Sequence, residues 1–494
     1  MIPTYRTKFS FGRFGGMILF VLSGMACTLT AQSPKMNVLF IAVDDLRPEL
    51  GVYGHPQILS PHIDRLASRG LTFDRAYCQQ AVCAPSRISM LTGMRPDSTQ
   101  IYDLTHPLRE NLPGALSMPQ FFKEQGYETL SLGKIYHHWK DDKDVGWTQN
   151  PWHPKGEWKG RGYLDPASWK MITKKGLGPS TESPEVADEA YPDGQIAEKA
   201  VSELRRLQKQ DRPFFLAVGF MKPHLPFNAP QSYWDLYPEE EIRLSPQTDW
   251  PTGMPDYAKN SRGFVWEISE YRDLVDLERP FPEDVSRNLI RGYYACVSYT
   301  DAMVGRVLEE LDRLGMRENT VVILWGDHGW KLSEYASWSK HTNFEIDTRV
   351  PMILSVPGQK EPGGKTDALV ELVDIFPTLA ELCGFPVPEQ CEGRSMVPLL
   401  TDPDQSWKAA AFSQYPRGKD LMGYSIRSGQ WRYTEWVDVE TRGIRARELY
   451  DHAGGPVAGE NLAGKDVYAE TVSQLSALLD KGQGWKSEVH NPER

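Results

Sequence analysis

Cysteine is scarce in this chain: Cys27, Cys78, Cys83, Cys296, Cys383 and Cys391 are the only six in 494 residues. If Cys27 leaves with an N-terminal leader, five remain, and an odd number excludes complete pairing. Cys383 and Cys391 could close a short loop, and at least one thiol stays available for chemistry. Surplus positive charge is also lacking. The 55 Lys and Arg against 66 Asp and Glu give a net charge of −11. That balance excludes a surface built as a whole for nucleic acid or anionic lipid. An anionic substrate would need a locally basic pocket. Beyond the N-terminus no apolar run is long enough to span a bilayer, and no internal repeat or low-complexity tract is present.

What is present begins with an export signal. Arg6, Lys8 and Arg13 precede the apolar run "GMILFVLSGMACTLTA", which is too short and too interrupted by small residues for a spanning helix. Residues 1–31 are therefore expected to be a signal peptide cut near Ala26 or Ala31, with the mature chain periplasmic or secreted. "SGMAC" loosely resembles a lipoprotein signal ending at Cys27. The remaining length suits one large domain, residues 35–403, and a smaller one, 404–494. With 40% hydrophobic and 24% charged residues, the composition is that of a globular protein.

Along the chain, apolar β-branched runs alternate with helical patterns. "NVLFIAV" reads as a buried parallel strand that stops at Asp44 and Asp45. "SPHIDRLASRG" reads as a helix with Ser60 as N-cap and Pro61 at its first position. "LTFDRAY" is strand-like, and "PSRISMLTG" is a short helix ended by Gly93. Helix–strand pairs follow in "MPQFFKEQG" and "YETLSLG", in "GQIAEKAVSELRRLQKQ" and "PFFLAVGF", and in "VSYTDAMVGRVLEELDRLG" and "NTVVILWG"; "VPMILSV" closes the set. This order implies an α/β domain whose mostly parallel sheet is covered by helices on both faces. Ligands bind such sheets beyond the C-terminal strand ends. The C-terminal part reads as antiparallel strands plus a closing helix, a smaller α+β unit. Between Trp139 and Trp169 lies a surface insertion. Its tryptophans either form a sugar-binding wall with the lysines or pin the loop onto the domain.

Two acidic pairs fall just after strands: Asp44 with Asp45, and Asp327 with His328. Both should emerge at the same sheet edge, where oxygen-rich ligation suits Ca²⁺ or Mg²⁺ rather than Zn²⁺. Singly, each acidic residue could be a helix cap. Cys83 sits two residues before Pro85 and four before Arg87, at a helix start whose amides favour an anion. Read alone, it is a reactive thiolate or a buried structural cysteine.

"CAPSRISMLTG" resembles the signature of the type I sulfatases, Cys-x-Pro-Ser-Arg followed by Thr-Gly. The likeness runs from about Asn37 to the C-terminal region. "AVDDLRPELGVYG", "GKIYH", "PFFLAVGFMKPHLPF", "GDHGWKLSEYASWSKHTNFE", "SQYPRG" and "MGYSIRSGQWRYTEW" are similar to the iduronate-2-sulfatase branch. The resemblance implies an alkaline-phosphatase-like fold. It also implies that a maturation enzyme converts Cys83 to Cα-formylglycine (3-oxoalanine), whose hydrate attacks sulfur with one hydroxyl and expels sulfate with the other.

By the same resemblance, Asp44, Asp45, Asp327 and His328 hold one Ca²⁺ together with the modified Cys83. Arg87 orients the hydrate, Lys134 and Lys340 grip sulfate oxygens, and His137 serves the release step, a role that the adjacent His138 could exchange with it. His224 is the candidate general acid for a poor alkoxide leaving group. The implied activity is hydrolysis of O-sulfate on a sulfated oligo- or polysaccharide. The substrate would be a 2-O-sulfated uronic acid or an algal polysaccharide such as ulvan or carrageenan. Phosphonate and phosphodiester hydrolases share the signature and stand as the alternative. A glycan-binding protein with Cys83 unconverted, and a cysteine hydrolase, are further readings.

Overall fold

The computed structural model describes residues 1, 6–10, 12, 35–138, 140–259, 267–274 and 281–483. Almost all of the expected signal, Cys27 included, and Trp139 lie outside the described residues. Met1–Pro34 and Lys35–Arg494 are separate compact units, and the second carries the fold. Among the described residues no helix is long and apolar enough to cross a membrane.

A seven-stranded sheet forms the centre. Its strands are β1 (Asn37–Val43), β2 (Leu71–Phe73), β3 (Glu128–Gly133), β4 (Phe214–Phe220), β5 (Thr320–Gly326), β6 (Met352–Ser355) and β7 (Gly364–Thr366). They lie in the order β7-β2-β6-β5-β1-β4-β3. β1 is flanked in parallel by β4 and β5, and β3 runs parallel to β4. "VPMILSV" supplies β6, the one strand that runs antiparallel to its neighbours β5 and β2. "LTFDRAY" divides into β2 and the short strand Ala76–Tyr77, which joins a separate small sheet.

Alternation along β1 explains why the sheet is covered twice. Leu39, Ile41 and Val43 face a core with Ile63 of α1 (Pro61–Ala67), Leu204 of α4 (Pro192–Leu207) and Leu311 of α5 (Glu283–Arg313). Val38, Phe40 and Ala42 face a second core. There they meet Ile88 of α2 (Cys83–Thr92), Phe122 of α3 (Met118–Glu124) and Leu379 of α6 (Ile375–Leu382). A strand with no polar side is what burial on both faces demands.

Two local expectations are corrected. Ser60 precedes α1 but does not cap it with its side chain. Its Oγ accepts from the Gly51 amide instead and donates to Asp64. Helix α2 begins at Cys83 itself, two residues before Pro85, and ends on Gly93 at φ 71°. Cys78, Cys83, Cys296, Cys383 and Cys391 are all free thiols, so no loop is closed between Cys383 and Cys391. The Cys391 sulfur instead lies beside Gly93, where a Cβ would sit 2.7 Å from it.

The C-terminal strands β8 (Ala411–Arg417), β9 (Leu421–Ser428), β10 (Trp431–Asp438) and β11 (Ile444–Asp451) pair antiparallel in sequence order. Helix α7 (Ala469–Gln483) packs Leu475 and Leu479 against this sheet. Glu345 ties the sheet to the loop after β5. Its buried carboxylate accepts from Tyr77 Oη at 2.8 Å, Arg427 Nε at 3.1 Å and Arg432 Nη2 at 2.9 Å. Burial alone would raise this carboxyl, but the two guanidinium groups outweigh it and hold it well below its ordinary value of 4.5. Glu345→Ala leaves two buried cations short of a partner and should cost about 3–5 kcal/mol. The deficit should be full above about pH 4.5 and narrow as pH falls below it, because the depressed group loses its contribution on protonation. Urea titrations of both proteins at pH 7 and pH 4 would measure it, and an unchanged midpoint would remove this tether from the account.

Candidate active site

Strand register builds the site. Val43, the last residue of β1, pairs with Gly326 at the end of β5 and with Phe220 at the end of β4. The next residues on each strand therefore leave the sheet side by side: Asp44 and Asp45, Asp327 and His328, and the segment Met221–His224. β3 ends in step at Gly133, opposite Gly219, and delivers Lys134. Asp45 takes a left-handed φ of 58°, and its amide donates to Asp327 Oδ1 at 3.0 Å.

Helix α2 brings Cys83 and Arg87 to the same edge. Arg87 is fully buried, and its donors are committed. Nε meets Asp327 Oδ2 at 2.8 Å, Nη2 meets Asp44 Oδ1 at 2.9 Å, and Nη1 meets the carbonyls of Lys134 and Ile135. Arg87 thus holds the two carboxylates and the turn after β3, with no hydrogen bond to the Cys83 sulfur. Ser86 Oγ donates to the Asp327 carbonyl at 2.5 Å.

Around the Cys83 sulfur stand Lys134 Nζ and Lys340 Nζ, each at 3.7 Å, and His328 Nε2 at 3.3 Å. Lys134 also pairs with Asp44, and Lys340 with Asp45 Oδ1 at 2.7 Å. Burial would raise the Asp44 carboxyl, but Lys134 and Arg87 hold it well below the ordinary value. Burial would likewise lower Lys340, yet Asp45 and Cys83 raise it well above. Both lysines are therefore charged. The Cys83 thiol is pushed up to about 12 by burial, against the two lysines, so it stands as a thiol rather than a ready thiolate.

The acidic cluster suits a divalent cation. Donor atoms of Asp44, Asp45, Cys83 and His224 lie within 4.8 Å of one another, as do those of Cys83, Asp327 and His328. Asp45 Oδ2 is buried with no hydrogen-bond partner, a costly state unless a cation meets it. His328 Nδ1 lies 3.1 Å from the Gly329 carbonyl. That contact places the proton on Nδ1 and leaves the Nε2 lone pair facing Asp45 and Asp327, as a ligating histidine requires.

A cleft of about 480 Å³ opens beside the cluster, lined by Asp44, Lys134, His137, Trp158, Arg161 and His224. A smaller cavity of about 140 Å³, lined by Cys83, Glu267, Lys340 and His341, shares His137, Arg161 and His224 with it. Of the paired histidines, His137 lines both spaces and His138 lines neither; the His138 ring packs edge-on at 5.1 Å. Burial, then Lys134 and His138, push His137 down to about 3, so it is neutral; its Nδ1 is buried without a hydrogen-bond partner. Trp147 is buried against Phe215 and pins the loop, whereas Trp158 faces the cleft.

Asp44, Asp45, Cys83, Arg87, Lys134, His137, His224, Asp327, His328 and Lys340 all reach this one strand edge. Three others were missed: Glu267, His341 and Arg161. Glu267 lies in a stretch without periodicity or motif, and Arg161 is one of many basic residues in the insertion. His341 had only its place next to Lys340 as a signal.

The family model described as Sulfatase matches residues 36–385, and that described as N-sulphoglucosamine sulphohydrolase, C-terminal, matches residues 327–484. Iduronate 2-sulfatase of Mus musculus is 37% identical over 552 residues, covering 97% of this chain and 98% of that protein. A protein solved with its substrate D-glucosamine-2-N,6-O-disulfate superposes with a TM-score of 0.72 at 21% identity, covering 93% of this chain and all of the other. A phosphonate monoester hydrolase from Silicibacter pomeroyi gives the same TM-score and identity, over 92% of this chain and 96% of its own. Likeness at that identity establishes the shared fold alone, an alkaline-phosphatase-like sheet with a C-terminal antiparallel unit. The family match over most of the chain and the 37% identity across its length go further: this chain belongs to the sulfatase family and is an enzyme of that family.

Proposed function

We propose that this enzyme is exported and removes O-sulfate from a sulfated glycan, with a 2-O-sulfated uronic acid as its substrate. The observation that carries the reading is the placement of Cys83. Its sulfur lies 3.7 Å from each of two lysines, the half-buried Lys134 and the buried Lys340, at the rim of a carboxylate cluster. Those cations support a sulfate group beside a nucleophile, and a divalent cation on Asp44, Asp45 and Asp327 would add the positive charge that a net charge of −11 makes necessary. The sugar follows from the mouse relative, which is by name an iduronate 2-sulfatase.

In this reading Cys83 is the precursor of a formylglycine made by a separate maturation enzyme. The modified residue supplies a geminal pair of hydroxyls, one to attack sulfur and one to drive release. Asp44, Asp45, Asp327 and His328 would hold one Ca²⁺, which supplies Lewis acidity toward the sulfate and the nucleophile. The chain's own residues do the rest. Arg87 fixes Asp44 and Asp327 in place. Lys134 and Lys340 stabilise charge on the sulfate oxygens. As the bond between sulfur and the bridging oxygen breaks, the electron pair stays on that oxygen and His224 gives it a proton. His137, which lines both spaces, serves the release step.

Defined sulfated disaccharides test this, with sulfate release and the change in sugar mass both measured. Turnover of the 2-O-sulfated uronate is expected. Inertness of that sugar alongside turnover of another would overturn the substrate. Cleavage of a phenylphosphonate ester with no sulfate released from any glycan would favour the phosphonate hydrolase alternative. Stripping divalent cations with a chelator should abolish turnover and lower the melting temperature, with Ca²⁺ restoring both, because a ligand bound only to the folded state stabilises it.

A further inference from the structure

The turn that carries Asp44 and Asp45 is held from behind by a tyrosine. Tyr293, on α5, is fully buried. Its Oη donates to the Asp45 carbonyl at 2.8 Å and accepts from the Arg47 amide at 3.1 Å. We propose that Tyr293 is a positioning residue for the divalent cation: through these two bonds it fixes the backbone from Asp45 to Arg47 and so aims the Asp45 carboxylate into the cluster. The inference rests on the reading above that Asp44, Asp45, Asp327 and His328 hold a Ca²⁺.

The turn needs a restraint. Asp44, Asp45 and Asp327 are like charges brought to one edge, and like charges at short range repel. Asp45 also holds its left-handed φ of 58°, a conformation that persists in a non-glycine residue where the surroundings fix it. Its two carboxylate oxygens differ. Oδ1 accepts from Lys340 Nζ at 2.7 Å, whereas Oδ2 is buried with no hydrogen-bond partner. A buried carboxylate oxygen without a hydrogen bond calls for a cation. The backbone that Tyr293 grips sets the direction of this side chain, and so decides whether Oδ2 meets that cation.

Tyr293 can serve as the restraint because it is itself fixed. Its ring packs edge-on against Phe227 with centroids 5.8 Å apart. The neighbouring Gly292 lets α5 come close, since a Cβ there would lie 2.9 Å from Phe227 Cβ and 2.8 Å from the Trp234 ring. The Arg47 end is fixed as well. Its Nη1 donates to the Trp330 carbonyl at 3.0 Å and its Nη2 to Glu334 Oε1 at 2.9 Å, with Glu49 as a further carboxylate partner. Trp330 follows Asp327 and His328 closely in the chain, so Arg47 ties the turn after β1 to the loop after β5. The two segments that carry the carboxylates are thus joined behind the cluster, and the Asp45 amide on Asp327 Oδ1 joins them within it. No proton moves in this role: the hydroxyl donates once and accepts once, as a neutral tyrosine can.

Ca²⁺ titrations of the chelator-stripped protein, read by melting temperature and by calorimetry, test the proposal. Tyr293→Phe removes only the hydroxyl. It should raise the Ca²⁺ dissociation constant by about 10-fold or more, the scale of loss when a group supporting a metal ligand is removed. Tyr299→Phe is the matched control. Tyr299 stands on the same helix, and its hydroxyl likewise donates to a carbonyl, that of Asp188 at 2.8 Å, and accepts from an amide, that of Gly194 at 2.7 Å. A purely structural role would lower the melting temperature of both stripped variants and leave the Ca²⁺ constant where it was. A wild-type constant in Tyr293→Phe would overturn the proposal, as would an equal shift in Tyr299→Phe. Should Tyr293→Phe not fold, Arg47→Lys decides. It keeps the charge without the fork that reaches Trp330 and Glu334 together, so Ca²⁺ binding should weaken, and an unchanged constant counts against the proposal. If stripped wild type takes up no Ca²⁺, the metal reading fails first and this inference falls with it.

Discussion

Cys83→Ala should lower sulfate release by about 10⁴-fold or more, within the range seen when a covalent nucleophile is deleted, and should leave the fold intact. The side chain is small and sits at the first position of α2, so its loss removes one sulfur from a pocket already lined by polar groups. Wild-type protein from a host that performs the maturation should yield a peptide around position 83 lighter by the difference between a thiol side chain and an aldehyde. It should also resist iodoacetamide, which alkylates a thiol. Full turnover by protein whose Cys83 is an intact thiol would sink the precursor reading. The free thiol has no ready route to activity here, since burial holds it protonated up to about 12 and the nearest imidazole nitrogen, His328 Nε2, is directed at Asp45 and Asp327 as well.

The second large effect belongs to His224. A sugar alkoxide is a poor leaving group, so His224→Ala should reduce kcat on a glycan sulfate by roughly 10²–10⁴-fold, the usual contribution of a positioned acid. KM should change little, because the proton is needed only as the bond breaks. On 4-nitrophenyl sulfate, whose leaving group needs no proton, the same variant should lose far less. Equal losses on the two substrates would mean that His224 grips the sulfate instead. Lys340→Ala offers the contrast: it touches the Cys83 pocket and should slow both substrates alike.

Much of the fold was legible because its strands are buried on both faces. "NVLFIAV" and "NTVVILWG" have no polar alternation, so their ends could be located and the acidic residues after them noticed. The antiparallel direction of β6 was not legible. "VPMILSV" is as apolar as its parallel neighbours, and strand direction is set by the connection that returns the chain, not by local pattern. The Ser60 cap failed for a related reason. Gly51 and Asp64, nine and four residues away, offered the hydroxyl other partners than the helix amides.

The sequence by itself determined the family and the candidate residues: a Cys-x-Pro-Ser-Arg helix start, acidic pairs after buried strands, and Lys134 and His224 after two others, which register brings to one edge. The tertiary structure alone decided which partners those residues take. It gave Arg87 to the carboxylates rather than to Cys83, chose His137 over His138 for the cleft, and brought the Tyr293 hydroxyl to the turn after β1. Motifs record which side chains follow a strand. Which partner a fixed set of donors and acceptors takes depends on distances between segments far apart in the chain, and those are settled only when the chain packs.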